Sequence, residues 1–92
     1  MSGTQPAVSN SGPIMHLNEI RMLKAFGIFK QVYIPPEVER ETAHIKKPNT
    51  IQISELSAAA KDFAKLLIIE NAVDMGEAQA IALAASRGIL IF

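Results

Sequence analysis

Residues 31–38, Gln-Val-Tyr-Ile-Pro-Pro-Glu-Val, change from a strand pattern to a helix pattern within one short stretch. Val32, Tyr33 and Ile34 are β-branched or aromatic side chains of the kind that favour strands. The two prolines then end the strand, because proline lacks the amide hydrogen that a sheet requires, and a proline suits the first turn of a helix. The stretch predicts a strand over 31–34 and a helix from Pro36 to about residue 44, which is one repeat of an α/β fold.

The rest of the chain continues this alternation of strands and helices. Further strands are predicted at 7–9, 50–54 and 89–92, and the last is uniformly apolar, as expected of a strand buried on both faces. Further helices are predicted over 14–27, from a Ser57 cap to about 71, and from Asp74 to just before Gly88. Such an order predicts a parallel sheet covered by helices on both faces, with ligands bound beyond the carboxyl ends of the strands.

Composition restricts the class of protein. The chain has 92 residues, room for one domain, which we assign to residues 7–92 after a flexible lead-in at 1–6. Nine basic and nine acidic residues cancel, so a nucleic-acid partner would need a local basic patch, and the only adjacent basic pair is Lys46-Lys47. Without cysteine there are no disulfides or thiolate metal sites, and without a long apolar run we expect no membrane span and a cytoplasmic location.

The C-terminal residues 89–92 are apolar up to the final Phe92. Domain termini are usually polar and exposed, whereas a buried strand needs neighbours and a following turn. We therefore expect the sequence to stop inside a larger domain, so that the α/β domain is incomplete at its C-terminus. Two alternatives are an edge strand that ends there and a strand completed by a second copy of the chain.

Three motifs, in this order, resemble a subfamily of PIN domains. The first runs from Val8 to Leu17, the second from Val32 to Val38 together with Glu41, and the third is Gly-Glu-Ala-Gln-Ala-Ile-Ala-Leu-Ala at 76–84. The third motif is the most specific, and the resemblance extends from about residue 7 to the end of the chain. This subfamily is common in archaea and is related to VapC-like toxins.

The resemblance implies a fold, an activity and partners. The fold is a Rossmann-type, three-layer α/β domain with a parallel central sheet. The activity is that of a Mg²⁺- or Mn²⁺-dependent endoribonuclease, the toxin of a toxin–antitoxin pair. RNA would be the substrate, an antitoxin a possible partner, and a homodimer or higher oligomer the expected assembly. Hard divalent cations prefer carboxylate and water oxygens, which agrees with the acidic site of this family.

The resemblance also implies site residues. The family's first acid falls on Asn10, the second on Glu41 and the third on Glu77, and these three would hold the metal and act in catalysis. Ser11, beside Asn10, would contact phosphate or substrate. The fourth acid would follow the strand that ends at Phe92 and is absent from the sequence. Because Asn10 carries no charge and one acid is missing, we expect weak metal binding and a weakened or inactive enzyme.

Each of these residues also has a structural interpretation. Glu77 follows Asp74 by three positions, which fits a capping box at a helix start. Glu41 lies in a run with two other glutamates, and such runs are usually solvated, although Glu41 shares a side with apolar residues. Asn10 and Ser11 are ordinary turn residues. Spacing alone leaves both interpretations open.

Two other functions compete with the ribonuclease. The chain is alternatively a non-catalytic interaction or dimerisation module, because an apolar terminal strand invites pairing with another chain. A small doubly wound ligand-binding domain is less favoured, because Gly12 and Gly76 are isolated and no glycine-rich nucleotide loop is present.

Overall fold

A computed structural model describes residues 5–91, with Leu90 described in its backbone alone. Four strands and four α-helices are present in this part of the chain, with one 3₁₀ helix: β1 (Pro6–Val8), α1 (Ser11–Glu19), the 3₁₀ helix (Leu23–Ile28), β2 (Gln31–Ile34), α2 (Pro36–Glu41), β3 (Ile51–Ile53), α3 (Ala58–Asn71), α4 (Met75–Arg87) and β4 (Leu90–Ile91). Residues 1–4 of the predicted lead-in and Phe92 lie outside the described residues, whereas Pro6 begins β1.

The strands form one parallel sheet in the order β3-β2-β1-β4. In its register Ala7 of β1 lies between Val32 of β2 and Leu90 of β4. The predicted α/β class with a parallel central sheet is therefore confirmed. The last strand, which the sequence predicts to be buried on both faces, lies at one edge of the described sheet as β4, and Ile91 in it is 39% exposed.

Helices cover both faces of the sheet. Val32 and Ile34 of β2 pack into a core with Ile14 of α1 and Phe26 of the 3₁₀ helix. Tyr33, between them in sequence, points to the other face, where α4 packs against the sheet. This alternation follows from the two-residue period of a strand and produces the three layers that the sequence predicted.

The helix α3 packs on α4 and forms few contacts with the sheet. Small side chains make up much of this contact, and they let the two helices approach closely: Ala60 and Ala64 of α3, and Ala78 and Ala82 of α4. α3 also exposes large apolar side chains: Phe63, Leu66 and Ile69. No helix within residues 5–91 is both long enough and apolar enough to cross a bilayer.

The helix predicted over 14–27 is two separate elements. An α-helix begins at Ser11 and ends at Glu19, and a 3₁₀ helix follows after a turn. In the turn Arg21 has a φ of 58°, the Met22 amide donates to the Leu17 carbonyl at 2.8 Å, and the Arg21 amide donates to the Asn18 carbonyl at 3.1 Å. This is a Schellman ending, which usually has glycine where Arg21 lies, so the sequence contains no signal for it.

The helix α2 ends at Glu41, about three residues before the predicted end. Thr42 follows it as a buried cap residue whose hydroxyl donates to the Val38 carbonyl at 2.7 Å. The Lys47 ammonium donates to the Thr42 carbonyl at 2.7 Å, and a cation at this end is favourable because the final carbonyls of a helix carry partial negative charge. These contacts fix where α2 stops and therefore where Glu41 lies.

Candidate active site

Three segments meet at the carboxyl edge of the sheet. α1 begins just after β1, and α2 begins just after β2, so the starts of both helices lie at that edge. α4 ends just before β4 begins, so its last turn lies at the amino edge of the sheet. Its first turn, with Met75 and Gly76, therefore lies at the carboxyl edge. Because α2 packs against both α1 and α4, this edge brings together the segments that contain Asn10, Glu41 and Glu77.

Asn10 is the N-cap of α1. Its side-chain oxygen accepts a hydrogen bond from the Gly12 amide at 3.2 Å, as predicted by its interpretation as a turn residue. The hydroxyl of Ser9, which is fully buried, donates to the Asn10 carbonyl at 2.8 Å and holds the turn in place. Ser11 is the first residue of α1. Among residues 5–91, no hydrogen bond joins Asn10 or Ser11 to Glu41 or Glu77.

Glu41 lies against the first turn of α4. A β-carbon added at Gly76 would come within 3.2 Å of the Glu41 Cδ atom and closer still to its Oε1. The missing side chain of Gly76 therefore provides the space that the Glu41 carboxylate occupies. The amide groups of a helix start carry partial positive charge, which favours an acid there. The structure thus brings Glu41 next to the turn that contains Glu77.

The glutamates of α2 differ in their partners. Glu37 accepts from the Nε of Arg40 at 2.8 Å, and Glu39 forms an ion pair with Lys47 at 3.1 Å. The hydrogen bonds from Arg40 lower the pKa of Glu37 from its usual 4.5. Glu41 is half-buried and forms no ion pair within the described residues. All three glutamates are partly buried, so the solvated face that the sequence suggested is not observed, and Glu41 differs from Glu37 and Glu39 only in its missing ion pair within the described residues.

Glu77 lies in the first turn of α4, where Asp74 is the N-cap. The Glu77 amide donates to the Asp74 carboxylate at 2.8 Å, so half of the predicted capping box is present. The reciprocal bond, from the Asp74 amide to the Glu77 side chain, is not found among residues 5–91. The Glu77 carboxylate is exposed and makes no ion pair in this part of the chain, so it is available for another ligand.

Gln79 is a structural residue of the site that the sequence reasoning missed. Its side-chain oxygen accepts a hydrogen bond from the Glu37 amide at 3.0 Å. This bond satisfies a free amide at the start of α2 and ties α2 to α4. Gln79 lies within the most specific motif, and a polar residue among its alanines was the available signal. Gly76, in the same motif, was also not assigned a role.

The chain matches a known protein family over most of its length. A family model described as a PIN domain matches residues 6–91. The chain belongs to the PIN-domain family. This assignment agrees with the resemblance found in the three motifs and indicates a nuclease-type function. Comparisons with curated proteins and with solved structures found no significant match.

PIN domains generally use divalent metal ions, and such ions bind to oxygen ligands. Within residues 5–91 no three His, Cys, Asp or Glu side chains are grouped closely enough to hold a metal ion. The predicted donors are two carboxylates and one amide oxygen, which are hard ligands of the type that Mg²⁺ and Mn²⁺ accept alongside several waters. The space at Gly76 places the Glu41 carboxylate next to the turn that contains Glu77, which is compatible with binding of a divalent ion.

Proposed function

We propose that this PIN domain is a metal-dependent endoribonuclease of low activity, with Glu41 and Glu77 as its acidic residues. The observation that supports this most is the position of Glu41, half-buried against the Gly76 turn and without an ion-pair partner among the described residues. Withdrawing a carboxylate from water without pairing it costs free energy. The start of α4 offsets part of that cost, and a cation ligand would offset the rest.

The proposed roles follow from the chemistry of the side chains. Glu41 and Glu77 would hold a Mg²⁺ or Mn²⁺ ion, and Asn10 would offer it an uncharged oxygen. The bound ion would supply positive charge at the scissile phosphate and activate a water. The Ser11 hydroxyl donates to a phosphate oxygen of the RNA. The start of α4 carries partial positive charge, which favours the negative charge of both acids nearby.

Low activity is part of the proposal. Asn10 provides no charge at the position of the family's first acid, and its oxygen already accepts from the Gly12 amide. With two carboxylates and no group of three candidate ligands among residues 5–91, these residues would bind a divalent ion weakly.

A cleavage assay tests this function. The chain is incubated with labelled single-stranded RNA in Mn²⁺, in Mg²⁺ and in EDTA, and compared with Glu41→Gln, Glu77→Gln and the matched control Glu19→Gln, at the far end of α1. We expect slow cleavage that EDTA abolishes and that the first two variants reduce at least about tenfold, because each loses a charged metal ligand. Cleavage that persists in EDTA, or is equal in all variants, would refute the assignment.

The more specific biological role is also a proposal. A PIN-type ribonuclease related to toxins would act on RNA in the cytoplasm and would be held inactive by an antitoxin. The support is the resemblance of the three motifs to a toxin-related subfamily. Co-expression with the neighbouring open reading frame, followed by purification, tests it: we expect a stable complex in which cleavage is suppressed.

A second candidate function is an interaction module, which the outer face of α3 favours. Phe63, Leu66 and Ile69 recur at every third position of the helix and are 41%, 52% and 78% exposed. Exposed apolar rows of this kind are common at subunit contacts, and we propose a homodimer formed through α3. Light scattering tests it: we expect a dimer that Leu66→Asp and Ile69→Asp convert to a monomer, with Lys24→Asp as control. A monomeric wild type would exclude it.

A further inference from the structure

A groove lies on the β3 side of the candidate active site, and Asn10, Ser11, Glu41 and Glu77 are not among its lining residues. It has a volume of about 330 Å³ and lies between the starts of α2 and α4 and one side of α3. Pro36 and Leu56 follow the carboxyl ends of β2 and β3, so the groove opens at the same edge of the sheet as Glu41. Met75 lines the groove, and its neighbour Gly76 contacts Glu41, so groove and acids share one helix turn.

The groove has an apolar floor and a basic rim. Leu56, Ala64 and Ile68 provide the floor, and Met75, which is 51% exposed, also lines the groove. Lys61 and Lys65 line it from successive turns of α3. Neither lysine forms an ion pair with any residue in the described part of the chain, although Glu55 also lines the groove and offsets part of their charge. An apolar cavity with two unpaired cations beside it is complementary to a planar base attached to a phosphate.

We propose that this groove binds one nucleotide of single-stranded RNA next to the cleavage site, with the base on the apolar floor and the adjoining phosphates on Lys61 and Lys65. This proposal rests on the ribonuclease function proposed above. The volume is at the lower end of the roughly 300–1,000 Å³ of small-molecule pockets, which suits one nucleotide. Gln79 lines the groove and keeps its amide nitrogen as a donor to the base.

The test measures RNA binding in EDTA, where cleavage does not interfere. Fluorescence anisotropy of a labelled, mixed-sequence single-stranded RNA is recorded at several salt concentrations with the full chain. Lys61→Gln/Lys65→Gln is compared with the wild type and with Lys24→Gln/Lys30→Gln. The control pair loses the same charge, and Lys30 lies before β2, at the opposite edge of the sheet. Circular dichroism confirms that each variant is folded.

We expect the groove variant to bind roughly tenfold more weakly at 0.1 M salt, with a salt slope smaller by about 1.4, because two phosphate contacts are lost. The control pair should change affinity less than about twofold. Met75→Ala should weaken binding roughly threefold without changing the salt slope, because it removes apolar contact only. Equal effects of the two lysine pairs, or no RNA binding by the wild type, would overturn the proposal.

A parallel cleavage assay in Mn²⁺ separates this proposal from the ribonuclease function. Binding that depends on Lys61 and Lys65, without any cleavage, supports the groove and refutes the catalytic function. If the wild type cleaves RNA but its RNA binding does not depend on Lys61 and Lys65, the ribonuclease function is supported and RNA binding in the groove is refuted. An acidic protein segment would then be the better candidate for the occupant of the groove.

Discussion

At the scale of single residues, the absence of a side chain at Gly76 determines where Glu41 lies. Glycine is unfavourable inside a helix by about 1 kcal/mol relative to alanine, so a glycine in the first turn of α4 reduces stability. Because Gly76 has no side chain, the Glu41 carboxylate can lie next to the helix start. Glycine at this position therefore lowers helix stability but leaves space for the Glu41 carboxylate, and a substitution at Gly76 separates the two effects.

We expect Gly76→Ala to fold at least as stably as the wild type while losing at least about tenfold in Mn²⁺ affinity and RNA cleavage. The new β-carbon meets the end of a flexible side chain, so the Glu41 carboxylate moves and the backbone does not. Thermal unfolding and a Mn²⁺ titration measure the two effects. Gly27→Ala is the control, because a β-carbon there has no atom within 4 Å among the described residues. Unchanged Mn²⁺ affinity in Gly76→Ala would contradict this role.

The second prediction about single residues concerns the ion pair between Glu37 and Arg40 in α2. Hydrogen bonds from Arg40 lower the pKa of Glu37 from its usual 4.5, so the unfolded chain binds more protons near that pH. The stability contributed by the pair is therefore present above about pH 4.5 and is lost as the pH falls through the lower pKa of the folded state.

Urea unfolding of the wild type and Arg40→Ala at a series of pH values measures this contribution. We expect the wild type to be more stable near pH 6 and the difference to disappear as the pH falls through the lowered pKa of Glu37, when this residue is protonated in both proteins. Arg21→Ala, which removes an arginine without an ion pair in the described residues, should show no such dependence. A difference between wild type and Arg40→Ala that is independent of pH would exclude the ion pair.

At the scale of the elements, the position of α2 relative to α4 depends on the hydrogen bond from the Glu37 amide to Gln79. Removing one partner of a bond of this kind costs about 1 kcal/mol. The start of α2 is then free to move, and with it the distance from Glu41 to the Gly76 turn. Gln79 acts on the site through α2 and is a positioning residue.

We therefore expect Gln79→Ala to lower stability by about 1 kcal/mol and to reduce Mn²⁺ affinity by more than this loss of stability alone would. Gln79→Glu retains an oxygen acceptor at a helix start, where negative charge is favourable, and should restore both properties in large part. Chemical unfolding and a Mn²⁺ titration provide the readouts. Equal Mn²⁺ affinity in Gln79→Ala and the wild type would show that the bond is structural only.

The sequence predicted the elements well where the local signals were complete. Ser57 and Asp74 cap their helices as expected, and Gly88, with a φ of 66°, ends α4 in the left-handed conformation that favours glycine. The prediction failed between α1 and the 3₁₀ helix, because Arg21 adopts that conformation without being glycine. Apolar residues continue past the break, so their spacing suggested one helix where the backbone turns.

At the scale of the whole molecule, the parallel sheet assembles the candidate site. Asn10, Glu41 and Glu77 are far apart in sequence and reach one edge because every crossover returns the chain to the same side. That shared edge could be predicted from the order of strands and helices. The contact between Glu41 and the Gly76 turn could not, because it depends on where Thr42 and Lys47 end α2 and on how Gln79 holds it.

The proposed divalent-metal site, to which Glu41 and Glu77 contribute from different helices, is tested most directly by Mn²⁺ binding. Titration of the chain followed by electron paramagnetic resonance should show one weakly bound Mn²⁺ per chain. Glu41→Gln and Glu77→Gln should each reduce its affinity at least about tenfold, and the double variant should do little more, because both residues hold the same ion. Glu19→Gln should bind as the wild type does. No bound Mn²⁺, or binding that is equal in all of these variants, would contradict the account.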